Sequence, residues 1–577
     1  MKHSIFSRTI LCTTLLATGL GVSLSTAHAD TATGTVSTLN TAQQRSILDR
    51  IMHTAPGGCP VNDGKAAPNP YGVWARGDGS ETGFGPISQY GTPAGMDSIS
   101  VPGTGICDRD DPFDSYKHMK LNDSGSIWLS LAGETRLNNW YDRRPVFGAA
   151  IDPTTSMKAR PFNSGRFAVR NLWSADLHFG QHVRFFGQLI NADAGGWRGY
   201  SYDGTFRKNL DLQQAFVELS GNAAGGHGGF IFGRQQFLDA PDYMIGNRDV
   251  LNVPLSWDGF RIYEHWNRVR FDGFYFINTK NNHTDSFRGG NSLFHDTLDY
   301  KTRLYGANVT IAPPDFHFLG EKGYSFINLF YYGYEINGGP AQQTVMYNAS
   351  ALGHTKRNNF GLRWHGEAGP ISFSLGGAYQ QGTFYQSYNR ANHYDKMTRN
   401  VNAWSMNGTV DYHFRHVMWH PTIGIQGDAY SGGGARGTTG SVNTYIEPFG
   451  VNTNYLDPTN YLTGQNLIDF APKASFTPTN YLTFQLKLPI YWRYSTGDDT
   501  YSIYGRNIFA RQFTSGMFNS YNHNSFVGIA PQMSASLRLG PHLTWDHHVV
   551  RFLTSHAMHQ VGARDATYYQ SSLTLTY

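Results

Sequence analysis

The sequence predicts an all-β protein: a transmembrane antiparallel β-barrel of about eighteen strands, with short periplasmic turns and long extracellular loops. Three observations predict it. Among 577 residues, Gly (65), Tyr (34) and Phe (37) are abundant, charged residues are few, and no long Ala/Glu/Lys/Leu tract of the helix-forming kind appears. From Ser126 onward, apolar and polar residues alternate with period two in run after run, the pattern of a strand with one apolar and one polar face. The connections between these runs alternate short and long in one consistent phase. A soluble sandwich or propeller has no reason to sort its loops by parity, whereas an outer-membrane barrel does, and in a membrane only closure leaves no strand edge unsatisfied.

In chain order, the N-terminus reads as a secretory signal over 1–29. Lys2, His3 and Arg8 precede an apolar run from Ile10 to about Leu24, and Ala27-His28-Ala29 closes it as a cleavage site. Residues 30–120 form an N-terminal periplasmic extension. Thr41–Thr54 places Ile47, Leu48, Ile51 and Met52 on one side of a short helix, and Ala55 to Pro112 is rich in Gly, Pro and Asp without a period. Cys12 leaves with the signal, so Cys59 and Cys107 remain as an even pair in an oxidising compartment, and a disulfide between them is expected. A loose tail is the alternative for this extension; an ordered one is expected to occlude the periplasmic mouth.

The barrel is assigned to 121–577. The eighteen runs are 126–141, 166–178, 182–194, 210–220, 229–237, 257–265, 268–279, 301–312, 324–336, 358–367, 371–384, 399–414, 420–431, 466–476, 479–494, 524–539, 542–554 and 565–577. The short connections include Gly180-Gln181, His265–Asn267, Gly366–Pro370, Thr477–Thr479 and Gly540–His542. The long ones include 143–165, 238–256, 280–300, 337–357, 432–465 and 495–523. The lengths suit tilted spanning strands of about 9–11 residues. Trp140, Tyr141, Tyr481, Tyr491 and Trp492, near strand ends, are expected in aromatic girdles.

If the apolar face meets lipid, parity puts the charged face inside. That face carries Glu134, Arg136, Arg166, Arg170, Asp176, Arg184, Arg261, Arg268, Arg270, Asp272, Arg363, Arg493 and Arg538. Arg234 and Gln236 join it, although Phe230 and Phe232 share their parity. Arg outnumbers Lys more than two to one in the chain, and guanidinium is the group suited to planar, bidentate recognition of carboxylate. Some of these guanidiniums would be held by Asp176 and Asp272, and the rest would face an anionic solute. Pairing that only stiffens the wall is the plainer alternative.

Several segments resemble the alginate export family: LSLAGETRLNNWYDRRPVFG in the first strand, then LDLQQAFVEL, FIFGRQQF and SWDGFR in the same order and spacing. The resemblance spans about Leu121–Tyr577 and is sharpest in 126–276. It implies an eighteen-stranded outer-membrane barrel that passes an anionic uronate polysaccharide through an Arg-rich constriction. By motif, Arg136, Arg234 and Arg261 carry over, with Glu134 and Asp258 as acidic neighbours. Two departures stand out. GRQ continues as Leu238–Asp242 in place of a Tyr-Gly-Asp-like segment, and Gly540–His542 is too short to match the family's closing periplasmic turn.

The function expected from the sequence is thus a passive channel for anionic solutes, with a small-solute porin for acidic sugars or organic anions as the alternative. The expected partners are outer-membrane lipid, an anionic saccharide or small anion, the barrel-assembly machinery and periplasmic export partners, with a monomeric state, no nucleic acid and no cofactor. No G-x-S-x-G or H-E-x-x-H occurs, and the histidines near the C-terminus (His542, His547, His548, His556, His559) suit a polar strand face better than a metal site, so no enzyme is expected.

Overall fold

The computed structural model describes residues 113–148, 164–196, 204–281, 293–340, 352–390, 393–433, 440–449, 455–501, 524–560 and 563–577, apart from 238, 242 and 541. The expected signal segment, the expected extension up to residue 112 and both Cys59 and Cys107 lie outside the described residues. Among these residues, 22 hydrogen-bonded segments make a single sheet. Two of them, Met119–Lys120 and Phe316–Phe318, are short ribbons at its margin. Two pairs are halves of strands interrupted at Pro489 and Pro531, which leaves eighteen spanning strands.

The strands are β1 Ile127–Arg143, β2 Ser164–Phe179, β3 Val183–Gly195, β4 Lys208–Ala223, β5 Gly226–Gln235 and β6 Trp257–His265. β7 Val269–Lys280, β8 Thr297–Ile311, β9 Glu321–Pro340, β10 Leu352–Ala368, β11 Ile371–Arg390 and β12 His393–His413 follow. The last six are β13 Thr422–Tyr430, β14 Leu467–Thr479, β15 (Leu482–Lys487 with Ile490–Arg493), β16 (Phe526–Ile529 with Gln532–Leu539), β17 Leu543–Thr554 and β18 Ala566–Thr576. Each pairs antiparallel with its neighbour in sequence, and β18 returns to β1 from Glu134↔Thr576 to Arg143↔Thr567, which closes the barrel. The eighteen runs of the sequence each become one of these strands. Proline explains the two interruptions, because it has no N–H for the ladder. The carbonyls still serve: Ala530 N–H donates to Pro489 O and Arg551 N–H to Pro531 O.

The distribution of side chains is inverted relative to a soluble protein. Along β1, Ser130, Glu134, Arg136, Asn138 and Asp142 are buried, while Leu131 and Tyr141 on the opposite face are exposed. The same holds elsewhere: Phe232, Phe260, Ile262, Leu362, Ile423 and Met533 are exposed, and Arg261, Asp272, Asn359 and Asp428 are buried. An apolar outside and a polar inside is the arrangement that lipid selects, since a charge facing mid-membrane costs about 2–4 kcal/mol. The girdle expectation needs correction at two positions. Tyr141 and Tyr481 are exposed, but Trp140 and Tyr491 are buried and face inward.

Two of the long connections do not behave as outer loops. The described residues of 236–256, and residues 440–449 and 455–466, fold into the lumen, so the extension is not the barrel's one candidate for a plug. The first loop buries Met244, Ile245, Val253 and Leu255. The two meet at a bridge between Ile245 and Phe449, with Gly246 N–H donating to Phe449 O and Phe449 N–H to Met244 O. At the chain's start in the described residues, Phe113 packs edge-on against His542 and beside Tyr577, and Met119 pairs with Leu129 of β1.

Candidate functional site

The lumen wall is built by register. Directly opposed residues on antiparallel strands share a face, so a single buried position fixes a whole row. Arg136 of β1 opposes Arg170 of β2 and Thr574 of β18, which opposes Thr544 of β17, and that opposes Arg538 of β16. Arg538 lies at the end of this row, next to a tight turn, and is exposed.

Across β1–β7 the wall is a lattice of guanidinium and carboxylate. Arg170 Nε donates to Glu134 Oε1 at 2.9 Å, and its Nη2 binds the same oxygen. Arg166 pairs with Asp142 at 2.8 Å. Arg184 is held by Asp176 through Nε at 2.7 Å and Nη2 at 3.0 Å, and by Glu218 through Nη1 at 3.0 Å. Its guanidinium lies 5.3 Å from the centroids of both Phe186 and Phe216. Arg261 and Arg270 share Asp272 at 2.6 Å and 3.0 Å. Such pairs are strong only where every donor and acceptor is met, because burial removes the water that would otherwise compensate.

The first lumen loop completes this lattice. Asp239 binds Arg261 Nη1. Asp249 binds Arg170 at 2.5 Å and Arg136 at 2.8 Å. Asn252 Nδ2 donates to the carbonyls of Val169, Asp193 and Phe206, and Val253 packs on Leu172, Ile190 and Ala192. At its other side, the loop reaches β11: a Cβ added at Gly376 would lie 2.5 Å from the Tyr243 hydroxyl. The loop therefore crosses from β1–β3 to the far wall of the barrel. The second loop crosses as well. Phe449 packs edge-on against Trp257 of β6 at 4.7 Å and Tyr334 of β9 at 5.8 Å, and Tyr461 OH donates to Asp142 of β1 at 2.6 Å.

Not all the guanidiniums meet carboxylates. Among the described residues, Arg363 donates to Ser374 Oγ at 2.9 Å, and Arg268 to the Ala312 and Pro313 carbonyls at 3.2 Å and 2.9 Å. Arg357 donates to Thr355 Oγ1, Gln380 Oε1 and Thr444 O. Arg493, which has further partners, is held at the loop by Nη1 on Asp498 O at 3.1 Å and Nη2 on Asn524 O, and is not one of these.

Arg234 and Asp258 stand elsewhere than expected. They oppose each other in register and carry the parity of the exposed Phe232 and Phe260, opposite to the buried Ile231 and Arg261. They lie where β5 leaves the sheet, bonded to each other at 3.1 Å, with Arg234 also on Leu212 O at 3.0 Å and 3.5 Å from Asp296. They are rim residues of the wall and not lumen residues. The motif glycines have a steric reason: a Cβ at Gly233 would meet Ala215 O at 2.3 Å, where φ is +128°, and a Cβ at Gly259 would meet Tyr275 O at 2.1 Å.

Sequence reasoning missed the residues that the loops bring, above all Asp239, Asp249, Asn252 and Tyr461, and also Arg357. A signal was present: the stretch read as a polar outer loop carries Met244, Ile245, Val253 and Leu255, which have no place in water. Of the C-terminal histidines, His548 bonds Ser534 at 2.7 Å, His547 bonds Tyr569 at 3.1 Å and His542 bonds Thr576 O at 2.8 Å. Among the described residues, no group of three or more His, Cys, Asp or Glu is placed to hold a metal ion.

Comparison with known proteins adds a family and a set of folds. The family model described as alginate export matches residues 160–570. Among solved structures, OccD3 (OpdP) of Pseudomonas aeruginosa is similar at 12% identity, covering 78% of this chain and 91% of that one, with a TM-score of 0.41. OccAB3 of Acinetobacter baumannii is similar at 9% identity over 78% and 99% of the two chains, TM-score 0.43. A BenF-like porin from Pseudomonas fluorescens Pf-5 follows at 10% identity over 78% and 99%, TM-score 0.42. No curated protein matches the chain.

Proposed function

The chain belongs to the alginate export family, as an outer-membrane channel of a Gram-negative cell, and on that premise we propose that it passes anionic solutes, uronate-type saccharides among them, by passive diffusion along its guanidinium wall. No bond is made or broken in this reading. The observation that carries it is the set of guanidiniums with neutral partners. Arg268, Arg357 and Arg363 are bonded, among the described residues, to hydroxyl, amide and carbonyl groups and to no carboxylate. Arg357 and Arg363 are buried on one face of β10, six residues apart, or about 20 Å along a strand. A cation inside a low-dielectric wall attracts anions and repels cations.

The test is the reversal potential in a planar bilayer under a KCl gradient. The wild-type channel is expected to prefer chloride, and Arg363→Gln with Arg268→Gln to lower that preference several-fold. Cation preference in the wild type would sink the reading. A second reading, a porin for small acidic sugars or organic anions, is favoured by the two loops that cross the lumen. Vesicles loaded with glucuronate and with uronate oligomers of increasing length separate the two: a small-solute porin releases the monomer and retains the oligomers.

A further inference from the structure

One contact between loop and wall has the form of a bound ligand. The Asp249 carboxylate sits across two guanidiniums: Oδ1 accepts from Arg170 Nη1 at 2.5 Å and Oδ2 from Arg136 Nη1 at 2.8 Å. Arg136 Nη2 donates to the carbonyls of Asp249 and Leu251, each at 2.8 Å. The arginines are wall residues with side chains only 9% and 2% exposed, whereas the Asp249 side chain is 45% exposed. The wall supplies one carboxylate of its own, Glu134, to two guanidiniums, so a positive charge is left for which Asp249 is the counterion. Arg136 Nε is buried with no partner among the described residues. Two fixed guanidiniums and a spare N–H form a receptor for a carboxylate, and the loop fills it from its open side.

We propose that Arg136 and Arg170 are a carboxylate-binding site for the solute and that Asp249 is its tethered competitor, which a uronate carboxylate replaces during passage. The inference rests on the anion-channel reading above. A short tether holds its group at an effective concentration on the order of millimolar, so a solute with one carboxylate competes poorly. A uronate chain, with a carboxylate on every sugar, competes far better because one bound group presents the next. Replacement leaves the loop backbone in place, because Asn252 still donates to the Val169, Asp193 and Phe206 carbonyls and Arg136 Nη2 to those of Asp249 and Leu251. Only the Asp249 side chain gives way, and a neutral sugar of equal size does not displace it.

The experiment uses the full chain in planar bilayers, with sodium glucuronate as probe and glucose as the neutral control. Asp249→Asn keeps the shape and removes the charge. It is expected to raise anion preference and to lower the glucuronate concentration that halves the chloride current, each several-fold, with no change for glucose. Arg136→Gln added to Asp249→Asn is expected to cancel the gain. If the wild type prefers anions and Asp249→Asn matches it in both readouts, the tethered competitor is wrong while the channel reading stands. If the wild type prefers cations, the channel reading falls and the inference with it. Folding is followed by the mobility difference between heated and unheated samples on gels. Should Asp249→Asn fail to fold, Asn252→Ala loosens the same loop from the wall, and an unchanged half-blocking concentration there would also overturn the proposal.

Discussion

The two halves of the lumen wall hold their charges differently. In β1–β7 carboxylates are held by guanidiniums: Glu134 by Arg170, Asp176 and Glu218 by Arg184, Asp272 by Arg261 and Arg270. In β12–β16 carboxylates are held mostly by phenols and amides. Asp428 accepts from Tyr455 OH and Asn407 Nδ2, each at 2.8 Å, and Asp457 of the second loop accepts from Tyr491 OH at 2.6 Å. Lys487 donates to the Tyr455 and Leu456 carbonyls rather than to a carboxylate. The first wall lends its charges to rigid ion pairs that a solute carboxylate can imitate. The second keeps Asp428, Asp457 and Asp469 without guanidinium partners among the described residues, and Asp411 on Lys473 at 2.9 Å. On the proposed function this wall is expected to repel an anion and to press it toward β1–β7 and Arg363.

The sharpest way to break this comparison is to remove one partner from each wall. Arg261→Met strands Asp239 and leaves Asp272 to Arg270 alone, both carboxyls being buried beside it. An uncompensated buried charge costs about 3–5 kcal/mol. Tyr491→Phe removes one neutral donor from Asp457, for about 1–3 kcal/mol. Urea midpoints of the barrel in detergent measure both. Equal losses would mean that the two walls are held by the same kind of bond and that the contrast is only one of residue names.

This contrast was half legible in the sequence. Period two assigns a face without any knowledge of contacts, because a strand side chain has only two directions, and so Arg170, Arg261, Asp272 and Arg493 could be assigned to the lumen face. It failed where the sheet ends. Arg234 and Asp258 share the parity of lipid-facing phenylalanines, yet they lie past the apolar belt, where a charge on the outer face costs little. Motif resemblance drew them inside and register places them at the rim. The loops were illegible for another reason. Their partners are far away in sequence, such as Arg136 for Asp249, and no local period encodes such a meeting. The pairing that decides which guanidiniums are available was therefore beyond sequence reasoning.

The second loop offers a way to sharpen the comparison with pH. Burial pushes the Glu447 carboxyl up to about 8, against the Gly464 N–H that donates to it at 2.7 Å and favours the charged form. The folded pKa is raised, so the packed loop is favoured at low pH. That contribution is whole below the ordinary Glu value and is lost as pH rises through about 8. Within that window each pH unit weakens the packing by at most about 1.4 kcal/mol. Amide exchange in residues 440–449, corrected for the intrinsic base-catalysed rate, is expected to rise from pH 5 to pH 9, and Glu447→Gln to flatten the rise. The first loop is a second sensor and not a reference, because burial pushes the Asp239 carboxyl up to about 8 as well. An equal rise in Glu447→Gln would remove Glu447 as the cause.

The smallest effect is the most discriminating. Asp469 of β14 directly opposes Asp428 of β13 on the lumen face. Both are buried, and both Asp469 carboxylate oxygens lack a hydrogen-bond partner among the described residues. Like charges in direct opposition destabilise a strand pair by roughly 0.2–1 kcal/mol. Asp469→Asn keeps the volume and removes the repulsion, so it is expected to leave the urea midpoint unchanged or raise it slightly. The matching change in the other wall, Asp272→Asn, deprives Arg261 and Arg270 of their shared counterion and is expected to lower the midpoint clearly. The same pair of variants moves selectivity in one direction, since each removes a negative charge from the lumen. Stability and selectivity therefore part company in β12–β16 and not in β1–β7. If Asp469→Asn destabilises the barrel as much as Asp272→Asn does, the carboxylates of the second wall are structural counterions too, and repulsion from that wall cannot be what guides an anion through the lumen.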